Sequence, residues 1–395
     1  MENGSRTRDG LFVHLILNKD IYMIQDFKNK DVIIIGAGAA GLGVAVALKR
    51  MDINFVILEK EEVGASFKKW PEETQFISPS FTGNFFKMPD LNAITPETSP
   101  AFNLLTEHPT GDEYQAYLKG VSEHYKLNIA TGVTLKSVQK KKGIFIVHTN
   151  KGDYHCQFLI WAAGEYQYPD RNTFKGADLC THYSEISSFK DIKTEDRIVI
   201  GSYESGCDAA INLCKEGTKV TLLDSTNNFE LINSDSSYSL SPFTRDRLNE
   251  EDVYFDYQPE SGVKEVRFEK GQYYVETVTN KQFNSPYKPI NCTGFKSSLS
   301  LVESLFENYD GYPLLNNFDE STKTKNLFLV GPQVKHGNAL FCFIYKYRQR
   351  FAIVSERIAV RKKIDRSVVK SVINDYKENN FYIKNLSCCD DECIC

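Results

Sequence analysis

Asp31-Val32-Ile33-Ile34-Ile35-Gly36-Ala37-Gly38-Ala39-Ala40-Gly41 is the stretch that decides the fold. Its apolar run at 32–35 is typical of a strand buried on both faces of a parallel sheet. The glycines then open a helix over residues 42–51, and a second apolar run at 55–58 ends at Glu59. This order of strand, glycine-rich turn, helix and strand predicts one β-α-β unit.

The residue types in this turn suit a dinucleotide. Gly36 permits the tight turn, Gly38 lets the backbone approach a pyrophosphate, and Gly41 lets the helix pack closely on the strand. The helix N-terminus presents free N–H groups to the pyrophosphate. Glu59 is placed to accept hydrogen bonds from a ribose diol and disfavours a 2′-phosphate. We therefore predict a dinucleotide site here.

The same pattern recurs later in the chain. A strand at 197–200 leads through Gly201-Ser202-Tyr203-Glu204-Ser205-Gly206 into a helix at 207–216, and the return strand at 219–223 ends at Asp224. Tyr203 stands where the middle glycine belongs, so this copy is either a nicotinamide site or a degenerate one. Asp224 favours NADH. Arg245 and Arg247 would have to fold back to accept NADPH, and the choice between the two cofactors stays open.

Two such motifs in this order resemble the flavoproteins with two dinucleotide-binding domains, and most closely the bacterial flavin-containing monooxygenases. Residues 64–70 are similar to the family's Gly-Gly-x-Trp segment along FAD. Residues 161–164 and 291–294 resemble two copies of its Ala-Thr-Gly strand end, and residues 326–331 resemble its late strand near the flavin. The resemblance implies FAD and NAD(P)H as cofactors. With the two motifs, it implies these cofactor-binding residues: Gly36, Gly38, Ala39, Ala40, Gly41, Glu59, Lys60, Ser66, Trp70, Val133, Ala163, Gly164, Gly201, Ser202, Glu204, Ser205, Gly206 and Gly331.

The chain also departs from this family's pattern. The family fingerprint has a histidine four residues after the glycine of Phe-x-Gly; here His182 lies six residues after Gly176. Pro332, after Gly331, stands where many relatives have an acidic residue that contacts the flavin. No asparagine aligns with the family's oxygen-activating one, and Asn84 is the only nearby candidate. His336 is expected beside the flavin, either as a proton donor or as a helix-start residue. Asn84 and His336 are our candidate catalytic residues.

The alternation of strands and helices predicts an α/β fold with two Rossmann-like dinucleotide-binding domains, the NAD(P) domain inserted into the FAD domain. Further helices are expected near 112–125 and 336–361, with strands near 143–149, 157–162, 272–278, 289–292 and 326–330. We assign 1–29 to an N-terminal extension, 30–168 and 288–365 to the FAD domain, 169–287 to the NAD(P) domain, and 366–395 to a C-terminal helix and cysteine-rich tail.

Composition excludes several classes of function. The 395 residues are 41% hydrophobic and 25% charged, with a net charge of −5, which gives no basic footprint for nucleic acid or an anionic membrane. No apolar run approaches the length of a membrane span, and no secretory signal is recognised, so a cytoplasmic protein is expected. The short basic cluster Lys140-Lys141-Lys142 is interpreted as a solvated turn or helix end.

Six of the ten cysteines are scattered in apolar segments, and four crowd the end of the chain: Cys388, Cys389, Cys393 and Cys395. The redox pair of a disulfide reductase, two cysteines two to four residues apart in a nucleotide domain, is absent, and Ala39-Ala40 stand where some thiol-linked relatives carry a cysteine. The tail thiols suit either a redox or soft-metal partner or no chemistry at all. No resident metal site is predicted.

We therefore expect an enzyme that passes hydride from NAD(P)H to FAD and then activates oxygen to act on a small molecule. The alternatives are a flavin-linked reductase of disulfides or metal ions that uses the tail, and a non-catalytic FAD-binding protein. A homodimer stays open.

Overall fold

The computed structural model describes residues 29–81, 89–192, 195–233 and 235–387. The strands are, in chain order, β1 (Asn29–Ile35), β2 (Phe55–Leu58), β3 (Ile129–Ala130), β4 (Leu135–Lys141), β5 (Ile144–Thr149), β6 (Gly152–Trp161), β7 (Thr181–His182), β8 (Asp196–Ile200), β9 (Lys219–Leu223), β10 (Asp256–Gln258), β11 (Val263–Glu269), β12 (Gln272–Thr277), β13 (Gln282–Ser285), β14 (Ile290–Asn291), β15 (Asn308–Tyr309), β16 (Tyr312–Pro313), β17 (Leu327–Leu329), β18 (Lys335–His336) and β19 (Ala339–Leu340).

The α-helices are α1 (Ala39–Arg50), α2 (Ala65–Lys68), α3 (Pro100–Leu104), α4 (Gly111–His124), α5 (Glu204–Lys215), α6 (Pro242–Leu248), α7 (Ile344–Tyr347), α8 (Phe351–Lys362) and α9 (Arg366–Glu378). The capping box between Thr110 and Glu113 fixes the start of α4. Helix α9 lies in the segment that we assigned to a C-terminal helix. The N-terminal extension and the four tail cysteines fall outside the described residues, apart from Asn29.

Two sheets carry the two glycine-rich units: the second is parallel, and the first is parallel except that β5 pairs antiparallel with β6 and β4. The first has the order β3-β2-β1-β6-β5-β4, with β17 also paired to the end of β6. The second has the order β10-β9-β8-β14-β7, and its strands lie in the chain between β6 and β17. The predicted α/β fold, with one dinucleotide unit inserted into the other, is confirmed.

Strand β1 forms the centre of the core of the first unit. Strand β1 pairs in parallel with β2 and β6, and its residues 32–34 are fully buried beneath α1. Parallel strands covered on both faces favour such branched apolar residues. The second unit repeats the arrangement with β8 between β9 and β14.

Three details differ from the sequence-based expectations. Residues 336–361 do not form one helix: β18 and β19 make a hairpin around Gly337, whose φ is +54°, and helical structure begins only at α7. Lys140 and Lys141 belong to β4, and the turn follows at Lys142-Gly143. Strand β14 pairs within the second sheet, so the inserted unit extends past residue 287, the end that we set for it.

The two connections between the units run side by side. Pro169 and Phe295 form an isolated antiparallel bridge, the N–H of Asp170 donates to the carbonyl of Gly294 (3.1 Å), and the N–H of Lys296 donates to the carbonyl of Tyr168 (2.6 Å). The chain therefore leaves the first unit and returns to it at one place.

Candidate functional site

The first glycine-rich turn is shaped by close backbone contacts. Gly36 has a φ of +103°, and a Cβ there would lie 2.6 Å from the carbonyl oxygen of Ala162. A Cβ on Gly41 would lie 2.0 Å from the carbonyl oxygen of Gly36. A Cβ on Gly38 would meet no protein atom within 4 Å. The fold thus requires glycine at positions 36 and 41. Gly38 instead borders open space before α1, as a pyrophosphate-binding turn needs.

Glu59 is held at the end of β2 by backbone donors. Its two carboxylate oxygens accept the N–H groups of Ala37 (2.7 Å) and Glu61 (2.8 Å). The carboxylate is therefore pinned beside the turn. It also lines the cavity described next, where it can accept a ribose hydroxyl.

A cavity of about 560 Å³ runs along this turn and into the space between the two units. A cavity of this size suits part of a cofactor and a small substrate. Most of the residues predicted to bind the first cofactor line it: Gly36, Gly38, Ala39, Ala40, Glu59, Lys60, Ser66, Trp70, Val133, Ala163 and Gly164.

Two predicted residues of the first unit lie behind this lining. Gly41 packs against Gly36, as described above. Gly331 has a φ of +117°, and a Cβ there would lie 3.2 Å from the Cβ of Ala40. Its neighbour Pro332 does line the cavity. Gly331 thus brings the end of β17 against the start of α1.

The second turn repeats the backbone frame of the first. A Cβ on Gly201 would lie 2.8 Å from the carbonyl oxygen of Cys292, and one on Gly206 would lie 1.7 Å from that of Gly201. Residues 161–164 and 291–294, interpreted as two copies of one strand end, indeed occupy matching places beside the two turns. Only Glu204 and Ser205 of this motif line the cavity, whereas Gly201, Ser202 and Gly206 do not.

The acid and the arginines of the second unit are engaged by the chain itself. Asp224 accepts the N–H groups of Asn228 (2.7 Å) and Thr226 (2.9 Å). Burial opposes its ionisation, but these bonds lower the pKa of Asp224. Arg245 donates to three backbone carbonyls, and Arg247 donates to Asp208 (2.8 Å). Neither arginine forms an ion pair with Asp224; Arg245 instead binds the carbonyls of Phe229 and Leu231 in the loop that follows Asp224.

A buried polar cluster joins the two units at the cavity wall. The carboxylate of Asp208, on α5, accepts the hydroxyls of Thr74 and Tyr183, each at 2.7 Å, besides Arg247. Thr74 comes from the first unit, and all four residues line the cavity. The sequence analysis missed this cluster because its members come from four separate segments; the only signal was that Asp208 follows Glu204 by one helical turn.

Glu165 and Cys342 are two further lining residues that motif analysis did not find. Among the described residues, none donates a hydrogen bond or offers a cation to the Glu165 carboxyl, and its burial raises its pKa. Burial also raises the pKa of the Cys342 thiol. Glu165 directly follows Gly164, at the carboxyl end of β6, where open α/β sheets bind their ligands.

His336, one of the two candidate catalytic residues, lies outside the lining of the cavity. Nε2 of His336 lies 2.6 Å from Asp319, which is fully buried and also bound by Arg350 (2.9 Å). His336 does not line the cavity, so its placement favours a structural contact over proton transfer to a bound flavin. Asn84 lies outside the described residues. His182 is buried, with Nε2 lying 3.0 Å from the carbonyl of Gly294 in the neighbouring connection.

Comparison with known proteins identifies the family. The sequence profile of the pyridine nucleotide-disulphide oxidoreductase family matches residues 33–331. The chain belongs to this family. Its cofactors are FAD and NAD(P)H, and the resemblance to flavoproteins with two dinucleotide-binding domains is confirmed.

Two relatives match the chain over different lengths. The uncharacterized oxidoreductase CzcO of Bacillus velezensis is 30% identical over 206 residues, which cover 50% of this chain and 55% of that protein. The bacilliredoxin reductase Bdr of Bacillus subtilis is 25% identical over 354 residues, which cover 86% of this chain and 99% of that protein. The chain thus spans about half of CzcO but nearly all of Bdr.

Solved structures share the fold. The bacillithiol disulfide reductase Bdr of Staphylococcus aureus superposes with a TM-score of 0.70 at 22% identity, over 85% of this chain and 99% of that one. The flavin-containing monooxygenase of Stenotrophomonas maltophilia superposes with a TM-score of 0.61 at 16% identity, over 89% of this chain and 99% of that one. The fold therefore accommodates both kinds of chemistry.

The first unit fits the family's FAD. Gly38 leaves open space where a pyrophosphate would lie, the Glu59 carboxylate would be placed to accept a ribose hydroxyl, and the cavity continues past Trp70 and Gly164 towards the second unit. Across the described residues no helix is long and apolar enough to span a membrane, and no group of three potential metal ligands occurs.

Proposed function

We propose that the chain is a monooxygenase-like enzyme that reduces its FAD with NAD(P)H and then uses oxygen to modify a small organic molecule. The observation that carries this proposal is the thiol content of the cavity. Cys342 is the one cysteine among its described lining residues, and burial raises the pKa of that thiol, which disfavours the reactive thiolate. A dithiol that exchanges electrons with the flavin is therefore not built into this part of the chain.

The aromatic lining supports the proposal of oxygen chemistry, because it would limit the access of water to a bound flavin. Aromatic side chains surround the space between the units, including Tyr166, Phe295, Phe343 and Tyr347. When bound, FAD supplies hydride acceptance and the reaction with oxygen. Glu165 is the acid that this chain offers for holding or moving a proton there, because its carboxyl faces the cavity without a described partner and its pKa is raised.

We further propose NADH as the preferred reductant. A 2′-phosphate would need a free cation near Asp224, but Arg245 and Arg247 are bound to carbonyls and to Asp208. The apparent kcat/KM for flavin reduction is expected to be at least about tenfold higher with NADH than with NADPH.

The test is anaerobic reduction by NADH and NADPH, followed by rapid mixing with oxygenated buffer. A transient absorbance band that precedes reoxidation is expected. Reoxidation in a single step, together with release of hydrogen peroxide equal to the NADH consumed at every substrate tried, would contradict oxygen transfer.

A second candidate is a flavin-linked reductase of disulfides or metal ions that uses Cys388, Cys389, Cys393 and Cys395. The match to Bdr over nearly its whole length favours it. Removing residues 388–395 should abolish turnover if the tail carries electrons and should leave NADH oxidation unchanged if oxygen is the acceptor. Cys342→Ser is the matched control, because it removes a thiol from the cavity and keeps the tail.

A further inference from the structure

The second nucleotide motif is closed by hydrogen bonds within the chain itself. Ser202 is 1% exposed and its Oγ accepts a bond from the side chain of Asn228 (3.0 Å). Asp224 is 0% exposed, and besides its backbone donors it accepts the hydroxyl of Tyr257 (2.6 Å) and the side chain of Asn228 (3.1 Å). The groups that would contact the adenosine ribose are therefore satisfied and shielded.

Tyr203 ties a second stretch of backbone over the same motif. Its hydroxyl donates to the carbonyl of Ser239 (2.9 Å), and its ring packs against the cluster of Leu240 and Val253. The neighbouring Glu204 accepts the N–H of Ser241 (2.6 Å). Tyr203, which replaces the middle glycine, and Glu204 thus bind residues 239–241 beside the start of α5.

The cavity marks where this closure ends. It reaches Glu204, Ser205 and Asp208 on one face of α5, but its lining does not include Gly201, Ser202, Tyr203 or Asp224. In the first unit the same cavity includes both the turn and the ribose acid. The start of α5 is therefore open to the flavin side, whereas Ser202 and Asp224 at the adenosine end are buried and hydrogen-bonded within the chain.

We infer that Tyr203 and Asn228 hold the adenosine end of the nicotinamide-cofactor site closed and so set the affinity of the enzyme for that cofactor. This inference rests on the use of NAD(P)H in the proposed function. A cofactor binds only the fraction of molecules in which these bonds are open, so its apparent affinity is reduced by that fraction. The side chains are affinity-determining and take no part in hydride transfer.

The experiment measures binding by calorimetry, without oxygen, to the full chain loaded with FAD that has first been reduced with dithionite, so that NADH binds without transferring hydride. The variants are Tyr203→Phe, which keeps the ring and removes the hydroxyl, and Asn228→Ala, which removes the bonds to Ser202 and Asp224. Tyr382→Phe is the matched control, because it removes a phenol hydrogen bond (to Glu356, 2.8 Å) far from the site. The ligands are NADH, ADP-ribose and nicotinamide mononucleotide.

Loss of one such hydrogen bond should open the site about fivefold more often, so the Kd for NADH and for ADP-ribose should fall about fivefold in Tyr203→Phe and at least as much in Asn228→Ala. The Kd for nicotinamide mononucleotide should stay unchanged, because the start of α5 is already open to the flavin side. Tyr382→Phe should match the wild type for all three ligands.

Three results would overturn the inference. Unchanged Kd values in both variants would show that the bonds do not limit binding. Weaker NADH binding in both would show that these side chains contact the cofactor directly. If neither the wild type nor either variant bound NADH detectably, the hydrogen bonds of Tyr203 and Asn228 would not control the access of the cofactor to the second site.

The melting temperature of each variant, compared with those of the wild type and of Tyr382→Phe, reports whether the second unit has folded, and Tyr203→Gly provides a further variant that also restores the glycine. Binding in the absence of oxygen does not depend on the electron acceptor. Failure of this inference and failure of the oxygen chemistry are therefore separate outcomes.

Discussion

The two glycine-rich turns have the same backbone and different surroundings. In both, the first glycine N–H donates to the carbonyl of the last residue of the next strand, from Gly36 to Leu58 and from Gly201 to Leu223, each at 2.9 Å. They diverge at the middle position, where Gly38 faces open space and Tyr203 binds a neighbouring loop. The comparison teaches that the framework of a nucleotide site and its accessibility are set by different residues.

The framework glycines should give the largest effects. In Gly41→Ala the new Cβ would overlap the carbonyl of Gly36, and in Gly206→Ala that of Gly201, each at a cost of about 3 kcal/mol or more. We expect Gly41→Ala to be purified without flavin, and Gly206→Ala to keep FAD but lose reduction by NADH. Flavin absorbance and stopped-flow reduction measure the two losses. Equal loss of FAD in both would mean that the units do not act separately.

The buried cluster between the units should give the next largest effect. Asp208→Ala leaves Arg247 buried without its partner and should lower the free energy of unfolding by about 3 kcal/mol. Thr74→Val, which removes one hydroxyl from the same carboxylate, should cost about 1 kcal/mol. Denaturant unfolding of the FAD-loaded protein measures both, and a cost for Thr74→Val as large as for Asp208→Ala would argue against the ion pair as the main contact.

The middle glycine should affect the cofactor and spare the fold. A Cβ at Gly38 meets no protein atom, so Gly38→Ala should leave the melting temperature of the FAD-free protein unchanged. It should weaken FAD binding by about tenfold, because the methyl group enters the space of the pyrophosphate. Flavin fluorescence titration measures the affinity. Wild-type affinity in this variant would place the pyrophosphate elsewhere.

We expect the smallest effect, a change in melting temperature, from substitution of Glu165. Glu165 follows the strand-end glycine of the first copy, and Phe295 follows that of the second. The raised pKa of Glu165 means that burial disfavours its charged form. Below its unfolded pKa the carboxyl is neutral in both states, so stability is lost only as the pH rises towards and past the folded pKa. Glu165→Gln should therefore raise the melting temperature more at about pH 8 than at about pH 5.

Exposed Glu303→Gln is the control for that measurement. A gain for Glu165→Gln that is larger at acid pH than at alkaline pH would show that the carboxylate is stabilised in the folded chain, for instance by a partner, and would remove Glu165 as a candidate acid.

The sequence was sufficient for the fold because local rules determine it. A buried strand, three glycines with steric roles and a terminal acid specify a β-α-β unit within about thirty residues. The hairpin at 335–340 was missed because helical spacing of apolar residues continues through it, and only the backbone at Gly337 shows the turn. Strand β4 was missed because its lysines read as a solvated turn.

The site was predictable only where a motif marks it. Gly38 and Glu59 were found because their spacing is fixed by the pyrophosphate and ribose that they would contact. Asp208, Thr74 and Arg247 meet through tertiary packing across the two units, which no local spacing encodes. The same limit applies to His336, whose predicted place beside the flavin depended on chain position, whereas the structure shows it bound to Asp319 and outside the cavity lining.

The paired connections at Pro169 and Phe295 have a consequence for protein engineering. Because the inserted unit begins and ends at one antiparallel bridge, it can be excised as a single cassette, and a short turn would rejoin the two cut ends. The remaining half retains β1, β2, β6 and β17 around the first turn. A related nicotinamide-binding domain with a different coenzyme preference could be grafted at the same junction to exchange the reductant, provided that the graft keeps an acceptor for Thr74 and a partner for Lys346.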